Sequence, residues 1–175
     1  NRKAARIAGR LMGQFLGGTG KIAVVSSAIA SENNNYYVQV RETEFADFIH
    51  KEYPDIEIIT TLDSFEDPQI TYEKTVKLLR DYQDLQGIYI TCGGVSQVGR
   101  ALEESGRAKD IRVISFEDYP EVVDLIRKDV IDCTLAGELQ QQGEIPVQII
   151  MDYLVFGKKP EQQQIFTDIR VLVKE

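Results

Sequence analysis

Three groups of residues in this chain could do chemistry. Glu117 and Asp118 are adjacent carboxylates just after the apolar run Ile111–Phe116. Such a pair suits general acid–base work, a hard cation, or hydrogen bonds from a polyol's hydroxyls. It could equally be the cap of a helix starting at Pro120. Neighbours on a strand point to opposite faces, so one of the two faces any crevice. Arg41 follows a long polar loop, residues 28–37, that includes Asn33-Asn34-Asn35. Its guanidinium is a rigid fork of donors suited to hydroxyls or a carboxylate, unless it only lies on a solvated face. Gly93 and Gly94 break the apolar run Ile88-Tyr89-Ile90 from a helical stripe of Val95, Val98 and Leu102. A strand, a glycine turn and a helix make half of a βαβ unit, and such turns lie at the strand ends where ligands bind.

Other chemistries fail on residue type. After Gly94-Val-Ser-Gln-Val-Gly99 come Arg100-Ala101, so the lysine and metal-binding hydroxyl of a phosphate loop are missing. Ser26, Ser27, Ser96 and Ser115 lack a nucleophile-elbow context. The single histidine, His50, reads as solvent-facing on a helix. Cys92 and Cys133 read as two buried thiols, not a disulfide scaffold. No structural zinc pattern is present, and no metal or cofactor is expected. A net charge of −8 with no basic cluster argues against nucleic-acid binding by this piece itself. No apolar run reaches the roughly 18 residues of a membrane span, and no signal peptide is visible.

The elements that would position these groups alternate along the chain. Helices are expected at 1–16, 38–52, 69–82, 95–105, 120–128 and 142–156, the last with Pro146 in its first turn. Strands are expected at 21–27, 56–61, 87–92, 111–116, 132–136 and 165–173. This is α/β: a three-layer, doubly wound, mostly parallel sheet with right-handed crossovers. At 175 residues the chain can hold one real core. Ser27, Arg41, Gly93, Gly94, Glu117, Asp118 and Gly137 all follow strands or flank a loop on one rim, where converging polar groups would make a cleft.

The order of motifs resembles the carboxyl-terminal part of the type I periplasmic-binding-protein fold, shared by LacI/GalR-type transcription regulators and periplasmic sugar-binding proteins. The carrying residues are Ala5-x-x-Ala8-Gly9-Arg10-Leu11 with Gly18-Thr19-Gly20-Lys21-Ile22-Ala23-Val24-Val25, and Arg41-Glu-Thr-Glu-Phe45. To these add Tyr82-x-Asp84-Leu85-x-Gly87-Ile88, Gly99-Arg100-Ala101-Leu102, Val113-Ile114-Ser115-Phe116-Glu117 and Gly157-Lys158-Lys159-Pro160. The resemblance implies that Arg41 and Glu117 meet a sugar or related small polar ligand. It departs from the pattern at Gly93-Gly94, where Asn-Asp is usual, at Gly137, where Gln is usual, and at Glu44 and Glu117. A roomier, differently charged pocket follows. The resemblance also implies that an amino-terminal lobe is absent. Residues 1–136 then form the carboxyl-terminal lobe, and 137–175 are a crossover helix and final strand partly belonging to the other lobe.

The function expected on this resemblance is effector sensing by a cytoplasmic LacI/GalR-like regulator, homodimeric and binding DNA only through a missing amino-terminal domain. Two unpaired thiols favour it. The alternatives are part of a sugar-binding protein of an ABC transporter and, from another class, a small α/β enzyme using Glu117 or Asp118.

Overall fold

The computed structural model describes residues 1–27 and 36–175. The elements are α1 (Arg2–Phe15), β1 (Gly20–Ser26), α2 (Tyr36–Glu52), β2 (Ile56–Asp63), α3 (Pro68–Asp81) and β3 (Leu85–Ile90). They continue with α4 (Val95–Ser105), β4 (Arg112–Phe116), α5 (Pro120–Arg127), β5 (Cys133–Gly137), α6 (Leu139–Phe156) and β6 (Ile169–Val173). Residues 28–35 of the expected polar loop, with its asparagine run, lie outside the described residues.

One six-stranded sheet has the order β2-β1-β3-β4-β5-β6. The first five strands pair in parallel, and β6 pairs antiparallel with β5. This is the mostly parallel α/β arrangement expected from the alternating apolar runs. The strands are apolar on both sides because both sides are covered. Along β1, Ile22 and Val24 face α1 and α2, packing with Ala8, Met12, Phe45 and Ile49. Ala23 and Val25 face α3, α4 and α5, packing with Leu79, Val98, Leu102 and Leu125. That period of two divides the core into two layers around the sheet.

Local sequence sets several boundaries. Asp67 caps α3 through its carboxylate, which accepts from Ile70 N at 2.8 Å, and Pro68 fills the first helical position. The carboxyl end of α3 is held by Arg107, whose guanidinium donates to the carbonyls of Leu79, Tyr82, Gln83 and Leu85 at 2.9–3.1 Å. Glycine lets α1 approach α2. A Cβ built on Gly13 would lie 2.2 Å from the Tyr53 ring, and one on Gly9 would lie 2.6 Å from Phe48.

Three expectations are corrected. The central strand ends at Ile90, not at Cys92. Thr91 still donates its N–H to Val25 O at 2.9 Å, but Gly93 and Gly94 then turn the chain into α4. Helix α6 starts at Leu139, so Pro146 sits inside it and not in its first turn. Gln142 N already bonds to Glu138 O at 3.0 Å, and the helix continues across the proline without that residue's N–H. The last strand starts at Ile169, not Ile165, because β5 offers only Cys133–Gly137 to pair with it. None of the residues of α6 is buried.

Candidate functional site

The carboxyl ends of the parallel strands open onto a cavity of about 1150 Å³. Residues from several of the strand-end loops line it. Arg41 comes from the second turn of α2, Gly93 and Gly94 from the β3–α4 turn, Glu117 and Tyr119 from the end of β4, and Gly137 from the end of β5. Gln141, Gln142, Pro146 and Ile149 of α6 form the far side, with Phe166 and Thr167.

Arg41 is held on every side. Val38, Phe45 and Ile49 bury one face of α2, and Phe45 stacks on Tyr89 with ring centroids 4.1 Å apart. Next to Arg41, Glu42 accepts from Ser26 Oγ at 2.8 Å and ties the helix to the end of β1. The Arg41 guanidinium lies 3.7 Å over the Phe116 ring. Its Nε donates to Asn1 Oδ1 at 2.8 Å, its Nη1 to Thr91 O at 3.0 Å, and its Nη2 pairs with Glu117 Oε1 at 3.4 Å. Arg41 thus reaches the cavity with its plane and direction set and with two N–H bonds left over. A guanidinium so fixed can serve two acceptors of one ligand at little further entropy cost.

Glu117 takes a left-handed backbone, φ 72°. Its N–H donates to Leu135 O at 2.8 Å, and its carbonyl accepts from Thr134 Oγ1 at 2.7 Å, so both neighbours on β5 hold that conformation. A non-glycine residue held there costs on the order of 1–3 kcal/mol. At Gly94, φ is +92° and a Cβ would lie 2.8 Å from Thr71 Cγ2, so the turn needs glycine. Gly93 differs: a Cβ there meets nothing within 4 Å, and the residue leaves open space in the cavity that Arg41 also lines.

The remaining sequence candidates separate. Ser27 does not line the cavity, but its Oγ donates to Glu66 Oε1 at 3.1 Å, and Glu66 does line it. Asp118 lies outside the lining and pairs with Arg170 of β6 at 3.1 Å. Adjacent strand-end residues have taken opposite faces, and the inner one is Glu117. Sequence reasoning missed Glu66, although it follows β2 as Glu117 follows β4. It also missed Gln142, which no strand-end signal marks. Among the described residues no cluster of acidic, histidine or cysteine side chains could hold a metal. Cys92 touches Ser64 Oγ at 3.4 Å, and burial raises its pKa above the ordinary thiol range.

The sequence profile of the periplasmic binding protein domain matches residues 1–159. The chain belongs to that family. Comparison with curated protein sequences gives no match. Solved structures do match. The arabinose-binding protein AraP of Geobacillus stearothermophilus superposes with a TM-score of 0.86 at 24% identity, over 99% of this chain and 61% of that one. A sugar-binding protein of a sugar ABC transporter from Bacillus halodurans gives 0.85 at 26% identity, over 99% and 61%. An ABC-transporter solute-binding protein from Burkholderia graminis, in complex with D-arabinose, gives 0.86 at 21% identity, over 99% and 60%. This periplasmic-binding-protein domain thus spans about three-fifths of those solved chains. All three are described as sugar- or solute-binding proteins, so the fold half of the sequence resemblance stands and the LacI/GalR half gains no support.

Proposed function

We propose that this chain is part of a sugar-binding protein serving an ABC transporter, and that the strand-end cavity is one wall of its sugar site. The observation carrying this is the fixed Arg41 guanidinium, stacked on Phe116 and paired with Glu117, in the same cavity as the open space over Gly93. A flat cation with spare donors, a carboxylate acceptor and nearby aromatic rings suit vicinal hydroxyls on a sugar ring. Solved relatives of the same fold hold D-arabinose, D-fucose or α-D-tagatopyranose. The cavity exceeds the roughly 300–1,000 Å³ of a small-molecule pocket, as one open wall of a two-walled site would. Its lining carries the carboxylates Glu66, Glu117 and Glu121 against the single guanidinium of Arg41. A neutral sugar suits that balance better than a sugar phosphate or sugar acid, whose charge the carboxylates repel.

Under this reading the protein binds and releases without catalysis, and it works outside the cell membrane, not in the cytoplasm. Heteronuclear NMR titration with D-arabinose, D-fucose, D-galactose and D-tagatose tests it. The expected result is selective shifts of Arg41 Nε and of the Gly93 and Gly94 amides, all absent with the sugar phosphates, with the glycine shifts also lost in R41A. No shift at those groups with any neutral monosaccharide up to 100 mM would overturn it.

A further inference from the structure

We infer that Gln142, reaching across from α6, supplies the polar contact to the ligand at the end of β5, and that Gly137 is the clearance that lets it do so. This rests on the sugar-binding reading above. Gly137 ends β5 inside the cavity and has no side chain to offer. The space a side chain would take is already used. A Cβ built on Gly137 would lie 2.6 Å from Gln142 Nε2, the tightest approach the glycine makes. Gln142 lines the same cavity, and its side-chain amide has no hydrogen-bond partner among the described residues.

Pro146 removes the usual partner of a second group at the same residue. In a helix the carbonyl of Gln142 would accept from the N–H four residues on, and residue 146 has none. Pro146 also lines the cavity. Gln142 therefore carries a donor and an acceptor on its side chain and an under-used carbonyl on its backbone. The side-chain amide lies at the strand end where β5 itself offers only glycine. Amide groups of this kind read neutral hydroxyls as both donor and acceptor, complementing the charged Arg41 and Glu117 that line the same cavity.

The geometry supplies a mild perturbation. The atom facing the Gly137 Cβ position is the far end of a flexible side chain, and Gly137 does not have a positive φ. G137A should therefore fold normally while pushing the Gln142 amide aside. In the intact 175-residue chain, the Gln142 side-chain NH2 resonance, assigned by its loss in Q142A, is followed during titration with D-arabinose, D-fucose and D-galactose. It should move together with Arg41 Nε. G137A and Q142A should each weaken binding by about tenfold, the loss expected for roughly one hydrogen bond to a polar ligand. The double variant should be no weaker than either single one, with an unchanged unfolding midpoint in G137A. If Arg41, Gly93 and Gly94 respond but the Gln142 amide does not, this inference fails and the sugar-binding reading stands. Additive losses in the double variant would also overturn it. If no group responds to any sugar, both fail.

Discussion

At the scale of single residues, Glu117 is where the chain accepts strain for geometry. Its φ of 72° is a conformation that glycine adopts freely, yet a carboxylate stands there facing Arg41. Replacing Glu117 with glycine should relieve that strain and lose only a part-exposed ion pair, worth at most about 1 kcal/mol. We therefore expect E117G to be as stable as the parent or up to about 2 kcal/mol more stable, while sugar binding is lost. Urea unfolding beside the NMR titration checks both halves; a stability loss above about 1 kcal/mol would contradict it. Cys133 gives a second prediction. Burial pushes its thiol up to about 12 from an ordinary value of 9.0, and burial raises Tyr89 as well. Below pH 9 the neutral thiol's contribution to stability is full. Between pH 9 and 12 the unfolded chain ionises while the folded one does not, so stability falls as pH rises. The urea midpoint should drop across that window, and C133A should show a shallower drop. Parallel slopes for the two proteins would refute the assignment.

At the scale of elements, the close approach of α1 to α2 depends on glycine. Gly9 and Gly13 leave room for the rings of Phe48 and Tyr53. G13A gains up to about 1 kcal/mol of helix propensity but places a methyl group 2.2 Å from the Tyr53 ring. Overpacking costs of about 1–3 kcal/mol should win, giving a net destabilisation of about 1–2 kcal/mol. A chemical-denaturation curve for G13A unchanged from the parent would show that Tyr53 moves aside freely. The shift should reach the site only weakly, because Arg41 is held from the other end of α2, through Thr91 and Phe116.

At the scale of the whole molecule, α6 stands out as an apolar helix without cover. Ile150 is 57% exposed, Leu154 71% and Phe156 67%, and Phe166 is 81% exposed beyond the helix. Contiguous apolar surface of this kind marks a contact surface or an aggregation liability. The resemblance to two-lobed binding proteins implies a second lobe there. For this 175-residue chain we expect self-association through α6, most simply as a two-fold dimer. Light scattering from low to high micromolar protein should show the mass rising toward twice that of the chain, and L154E should remain monomeric. A monomeric mass throughout would refute this. Binding of monosaccharides by the chain alone should be weak, because a second wall supplies half the contacts and the closure in such receptors. Calorimetry showing submicromolar affinity would contradict that.

The sequence by itself determined the alternation of strands and helices, the parallel sheet and the strand ends that form the rim. Near-continuous apolar runs can be satisfied only by a sheet covered on both faces, and a glycine turn announces itself by residue type. Gly93, Gly94, Glu117 and Gly137 follow from that rule, Arg41 follows from the resemblance and its place after a long loop, and the fold brings all five to one cavity. Tertiary structure alone decided the rest. Which of two adjacent carboxylates faces inward depends on the pairing of β4 with β5 and on Arg170 of β6 holding Asp118. The start of α6 depends on where β5 ends, and there the fold accepts a proline inside the helix that residue type alone places in its first turn. Gln142 could not be found from the chain, because its meeting with Gly137 is a matter of side-chain reach across a turn, and no pattern of residue types encodes a distance.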